Sequence, residues 1–165
     1  MQPVKIVAVA FLALFAGPAW ADDWARHADD ALAYVVELPP GYARVEPRSS
    51  THARTFRSPD GGETLTLSGG TVLPGSFNDA WTRTRTLYGE DGWALTYNPS
   101  PPHWTSFTGQ KGDRRLFVKM IPLCGGTKQY AMLAIEYPAA REAQMAPKVE
   151  RLAGSLRANG TGLSC

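Results

Sequence analysis

Residues 53–68 read Ala53-Arg54-Thr55-Phe56-Arg57-Ser58-Pro59-Asp60-Gly61-Gly62-Glu63-Thr64-Leu65-Thr66-Leu67-Ser68. Two short runs, 53–57 and 63–68, flank the turn residues Ser58-Pro59-Asp60-Gly61-Gly62. Proline presets φ and glycine tolerates positive φ, so the pair predicts a β-hairpin. Leu65 and Leu67 share one side of the second run and Thr64 and Thr66 the other, the period of a strand with one buried face.

Reading upstream, Ala33 to Leu38 (AYVVEL) is β-branched and aromatic and stops at Pro39-Pro40-Gly41. Prolines have no N–H to give a ladder, so this predicts a first strand, and polar residues 22–30 predict a loose lead-in. Downstream, Ser76 is placed to cap a helix with Asp79 in its first turn. Phe77, Ala80, Trp81, Thr84, Leu87 and Tyr88 then form one apolar stripe, with Arg83 and Arg85 off it, and Gly89 is expected to end the helix in the left-handed conformation.

Four further strands are predicted: Trp93–Tyr97; Trp104–Thr108, after the break Asn98-Pro99-Ser100-Pro101-Pro102; Arg115–Ile121, after Gln110-Lys111-Gly112-Asp113; and Lys128–Tyr137. The last is long and nearly all apolar in its middle, the pattern of a central strand covered on both faces. Pro138 opens a helical tail. Pro147 inside it predicts a short helix followed by a second that starts near Pro147, burying Val149, Leu152, Ala153 and Leu156. Strands in runs set apart from helices predict an α+β domain: an antiparallel (mixed) sheet of about six to seven strands with helices packed on its faces.

The N-terminus carries a different signal. Lys5 precedes the apolar run Ile6–Ala16 (IVAVAFLALFA), Gly17-Pro18 ends it, and Ala19-Trp20-Ala21 has the small-x-small pattern read by signal peptidase. This is the order of a secretory signal peptide over residues 1–21. The run is about half of the roughly 20 apolar residues that a bilayer core needs, which disfavours an uncleaved anchor. Asp22 stands where a lipoprotein needs cysteine. The expectation is a periplasmic or secreted protein, residues 22–165, folded as a single domain of about 144 residues with no membrane span after cleavage.

Composition narrows the partners. The chain has 17 Lys+Arg and 15 Asp+Glu, and Lys5 is the only charge before residue 22. This near balance supplies no electrostatic reason for binding nucleic acid or an anionic membrane. Hydrophobic residues make up 44% of the chain, enough for a packed core. Of the cysteines, Cys124 lies in the turn Pro122-Leu123-Cys124-Gly125-Gly126 and Cys165 is the last residue. In an oxidising compartment an even count favours a disulfide, and closing a loop of about 42 residues would add roughly 4 kcal/mol. The alternative is a reactive thiol at Cys124.

Several of these stretches resemble the Mog1/PsbP-like group of small α/β/α sandwiches, including exported bacterial proteins built on that plan. The resemblance runs from about Tyr34 to Leu156. It is carried by Leu38-Pro39-Pro40-Gly41-Tyr42; by Phe56 with Ser58-Pro59-Asp60-Gly61 before Leu65-x-Leu67; by Thr108-Gly109, Gly112 and Phe117-Val118-Lys119; and by Glu136-Tyr137-Pro138 before the helix ending Ser155-Leu156. These are turn and packing positions. The resemblance implies that fold and a binding or accessory role more than catalysis, and it transfers no catalytic residue.

Motifs for chemistry are sparse. There is no Gly-x-Ser-x-Gly, no His-Glu-x-x-His and no cysteine pair at zinc spacing. Gly125-Gly126-Thr127-Lys128 lacks the earlier glycine of a phosphate loop, Ile121 standing in its place, and precedes a strand where that loop needs a helix. His27, His52 and His103 read as separate surface histidines. His103 and Ser106 are three apart on a strand and so point to opposite faces, which argues against a triad. Asn159-Gly160-Thr161 fits a glycosylation pattern and reads as a tail turn. Arg44, Arg48, Arg54 and Arg57 read as a solvated face.

The stiff segment Asn98–Trp104 is flanked by Tyr97, His103 and Trp104, and aromatics beside a proline-held loop can recognise a partner at low entropic cost. The competing reading has Trp104 entering the core. The expectation is an exported accessory or binding protein without catalytic activity and without a cofactor. It would meet an envelope protein or small ligand through Tyr97, His103 and Trp104. The alternatives are a small-ligand or metal-binding protein, and a hydrolase-type enzyme using Ser106 or a free Cys124.

Overall fold

The structure, a computed structural model, describes residues 23–45, 52–72, 74–98, 103–123 and 128–160. The proposed leader 1–21 and both cysteines lie outside the described residues.

The hairpin from which the sequence was read sits inside a seven-stranded sheet. Its strands are β3 (Ala43–Val45), β4 (Ala53–Arg57), β5 (Thr64–Thr71), β6 (Ala94–Asn98), β7 (Thr105–Lys111), β8 (Arg114–Leu123) and β9 (Gln129–Pro138). They lie in the order β3-β4-β5-β9-β8-β7-β6, every neighbouring pair antiparallel. β9 is the middle strand, as its apolar run predicts. Its Ala131, Leu133, Ile135 and Tyr137 join the core on one face, while Met132 and Ala134 join that on the other.

One expectation is corrected at the N-terminal end. The polar residues read as a lead-in form β1 (Ala25–Asp29), paired with β2 (Tyr34–Leu38). With the short strand β10 (Arg157–Ala158) they make a separate three-stranded sheet centred on β2. Thus β2 is no member of the main sheet; it lies over it, packing Tyr34, Val36 and Leu38 against Phe56, Leu65, Leu67 and Ile135. The physical cause is tertiary. A polar strand is held here by its neighbour's ladder and by the ion pair of buried Asp29 with Arg54, 3.1 Å away. Arg54 is accordingly not part of a solvated face.

Helix α1 (Phe77–Glu90) covers the other face. The Ser76 hydroxyl accepts the Asp79 N–H, and the Asp79 carboxylate accepts the Ser76 N–H, a complete capping box. Ala80 and Trp81 pack in one core with Phe107, Leu116, Val118 and Met120, and Thr84 is buried on the same helix. Two details depart from expectation. Tyr88, its ring 5.5 Å from Phe107, faces inward as its place in the stripe predicts, but Leu87 is 65% exposed. The helix also runs past Gly89. Gly92, at φ 90°, takes the left-handed position, with Gly92 N–H bonded to Gly89 C=O and Trp93 N–H to Tyr88 C=O. That is a Schellman ending, which seats buried Trp93 under the helix.

A single 3₁₀ turn (Ala139–Arg141) leads into α2 (Glu142–Ser155), which runs unbroken through Pro147. The expected helix break is absent because fully buried Met145 and Leu152 anchor the helix on both sides of the proline. α2 packs along β2, β8 and β9. The result is a sheet covered by α1 on one face and by α2 with the small sheet on the other.

Candidate functional site

On the α2 face the helix leaves the outer part of the sheet open. β7 alternates so that Phe107 points to α1, which places Ser106 and Thr108 on the α2 side, in register with Lys119 and Phe117 of β8. Phe117 and Thr108 floor a groove of about 380 Å³ whose wall is Ala146, Val149 and Ala153 of α2. Glu142 and Glu150 line its outer rim. Trp104, 36% exposed, is not among the residues that line the groove. Lys119 Nζ lies 5.4 Å from the centre of the Trp104 ring and donates to the Ala153 carbonyl, so one side chain ties Trp104 to the end of α2. Burial depresses the Lys119 ammonium below the usual lysine range.

Trp104 thus stays outside the buried core, linked through Lys119 to Ala153, which lines the groove. His103 is exposed beside it, and Tyr97 lies on the edge strand β6, its Cα opposite Phe107. Ser106 is buried while His103 is exposed. Among the described residues no three His, Cys, Asp or Glu side chains are placed to hold a metal ion. No helix among them is long and apolar enough to cross a membrane.

A second region escaped the sequence reading. The Leu38-Pro39-Pro40-Gly41-Tyr42 corner, the Ser58–Gly62 turn and α2 converge on Glu63, 5% exposed. Tyr42 donates its phenol O–H to Glu63, Lys148 Nζ lies 2.7 Å from the same carboxylate, and Arg141 stands 3.8 Å away. Burial, with the hydrogen bond and charge of Glu63, lifts the Tyr42 phenol well above its ordinary range. The Ser58 hydroxyl, Arg141 and the Gly62 N–H hold the Asp60 carboxyl well below its own. Gly41 at φ 74° approaches Pro59 so closely that an added Cβ would sit 2.8 Å from its ring, which explains a glycine there. Beside this hub lies a cavity of about 490 Å³ with apolar walls from Trp24, Pro39, Pro40 and Pro147 and a rim of Lys148 and Arg151. No local signal in the sequence marks it, since Lys148 follows Glu63 by 85 residues.

The third cluster lies under β1. The His27 ring packs edge-on against Phe56 at 5.3 Å and 6.3 Å from Tyr34. Both His27 Nε2 and the Tyr34 hydroxyl are buried without a hydrogen-bond partner among the described residues. His27 is thus half-buried, not a free surface histidine. Burial lowers its imidazole below the usual 6.5, with Arg44 and Arg54 adding to this and Asp29 opposing it. A histidine whose folded value is depressed contributes full stability above about 6.5, and that contribution falls away as the pH drops toward the folded value. Chemical denaturation of wild type and His27→Gln between pH 8 and 5 should show wild type losing more stability across that range. Parallel curves for the two proteins would contradict this.

No protein-family model matches this chain, and no curated protein sequence matches it. Solved structures do. The solution structure of cyanobacterial PsbP (CyanoP) from Synechocystis sp. PCC 6803 superposes with a TM-score of 0.61 at 13% identity, over 86% of this chain and 96% of that one. The crystal structure of the Ran-binding protein Mog1p from Saccharomyces cerevisiae gives 0.55 at 12% identity, over 83% and 97%. With a helix on each face of an antiparallel sheet, and with a likeness that spans nearly the whole of both known folds, the chain has the Mog1/PsbP-like α+β fold.

Proposed function

We propose that this protein is an exported accessory or binding protein that acts by contact and not by catalysis, and that its partner docks in the groove between α2 and β7. The observation that carries the reading is Trp104: a large aromatic, one-third exposed, linked through Lys119 to Ala153 on the wall of an apolar groove. Exposed tryptophans beside concave apolar surfaces are the residues that dominate binding energy at interfaces. The fold supports the same direction, because Mog1p, built on it, is by name a protein that binds another protein.

Export rests on the leader pattern of residues 1–21, followed by residues 22–165 as one folding unit. In the periplasm or outside the cell, Cys124 and Cys165 pair to staple the C-terminus to the body. Intact mass of the protein from a periplasmic fraction tests both statements: the account expects a chain that begins at Asp22 and carries no free thiol. A cytoplasmic chain that retains Met1 with both thiols alkylatable would overturn it.

A further inference from the structure

The cavity between the Pro39-Pro40 corner and α2 is independent of the groove at Trp104, and its chemistry is different. We infer that it binds an aromatic carboxylate, either a small free acid or the carboxyl terminus of a peptide ending in an aromatic residue. At about 490 Å³ it has the volume of a small-molecule site. Its walls are one tryptophan and three prolines, surfaces that accept a flat apolar body. Its polar lining is Gln144, Lys148 and Arg151, so among the described residues both charged groups are cations and no carboxylate lines the space.

Those cations are held in place before any ligand arrives. Arg151 donates Nε to Glu37 at 2.9 Å, and its guanidinium lies 4.4 Å from the centre of the Trp24 ring. Two constraints on one planar group fix its orientation, and the contacts of Arg151 with the described residues engage Nε and the ring face, so that its terminal N–H groups are the ones proposed to pair with a carboxylate. Lys148 is likewise fixed between Glu63 and the Tyr42 ring, with Nζ 5.4 Å from the ring centre. Such preorganisation removes the ordering cost that surface lysines and arginines ordinarily bring to binding.

The test is calorimetric titration of the mature protein with indole-3-propionate, with tryptamine, which keeps the ring and reverses the charge, and with Ala-Ala-Trp as free acid and as amide. The inference expects binding of the indole acid or of the free-acid peptide, whichever source is used, and about tenfold weaker binding of tryptamine and of the amide. Arg151→Met, on the exposed side of α2, should weaken the acid by about tenfold, while Arg151→Lys falls between. The unfolding midpoint of each variant, measured on the same sample, shows that the fold is intact. Equal binding of acid and amine, unchanged affinity in Arg151→Met with an intact fold, or no binding of any carboxylate would each overturn the inference.

Discussion

Replacing Phe107 with alanine is expected to destabilise the protein by about 4 kcal/mol, the scale of a buried aromatic deleted from a close-packed core. Phe107 is fully buried at the centre of the α1 layer. Its ring lies 5.1 Å from Trp81 and 5.5 Å from Tyr88, so deletion leaves a cavity and removes two aromatic pairs. Trp81 and Tyr88 of α1 meet the sheet at this ring, so the last turns of the helix should loosen first. Urea denaturation followed by tryptophan fluorescence reads the loss. The Tyr88 phenol, which burial pushes up to about 12, should return toward its ordinary value in the variant. A loss below about 1 kcal/mol would mean that α1 is not packed on the sheet as described.

The second large effect is at Glu63. Glu63→Ala leaves Lys148 and the Tyr42 hydroxyl without the carboxylate that joins them, and Lys148 is only 27% exposed. Removing one partner of a largely buried ion pair costs about 3 kcal/mol, because the remaining charge keeps its desolvation penalty. A double-mutant cycle with Lys148→Met separates this from simple loss of packing. The account expects the second substitution to cost much less in the Glu63→Ala background than in wild type. Additive losses would show that the two residues do not act as a unit.

The two effects differ in how far the sequence foretold them. The α1 stripe apart from Leu87, the cap at Ser76 with Asp79 in the first turn, and the hairpin at Pro59-Asp60-Gly61 were all legible, because each depends on residues within a few positions of one another. So was the central place of β9, whose unbroken apolar run admits burial on both faces. What escaped was set by distance along the chain. His27 and Asp29 read as polar lead-in because their stabilising contacts, Phe56 and Arg54, come from β4. Glu63, Lys148 and Arg141 meet only when α2 returns to the hairpin turn. Pro147 misled for the opposite reason: its local rule was correct, and burial of Met145 and Leu152 overrode it.

Near the surface proposed at Tyr97, His103 and Trp104, the groove beside α2 was not legible in the sequence. Val149 and Ala153 belonged to a predicted buried helix face, yet they line the groove wall, because α2 sits over β8 and β9 and stops short of β7. The same offset leaves Trp104 outside the core.

That surface is the central claim, and site-specific photo-cross-linking tests it most directly. A photoreactive side chain is placed at 104, beside the groove, or at 87, the most exposed large apolar position on the opposite helix, in protein expressed in its own envelope. The account predicts a discrete adduct from position 104 that disappears with Val149→Arg, and none from position 87. Adducts of equal yield from both positions, or an adduct from 104 that survives Val149→Arg, would contradict it.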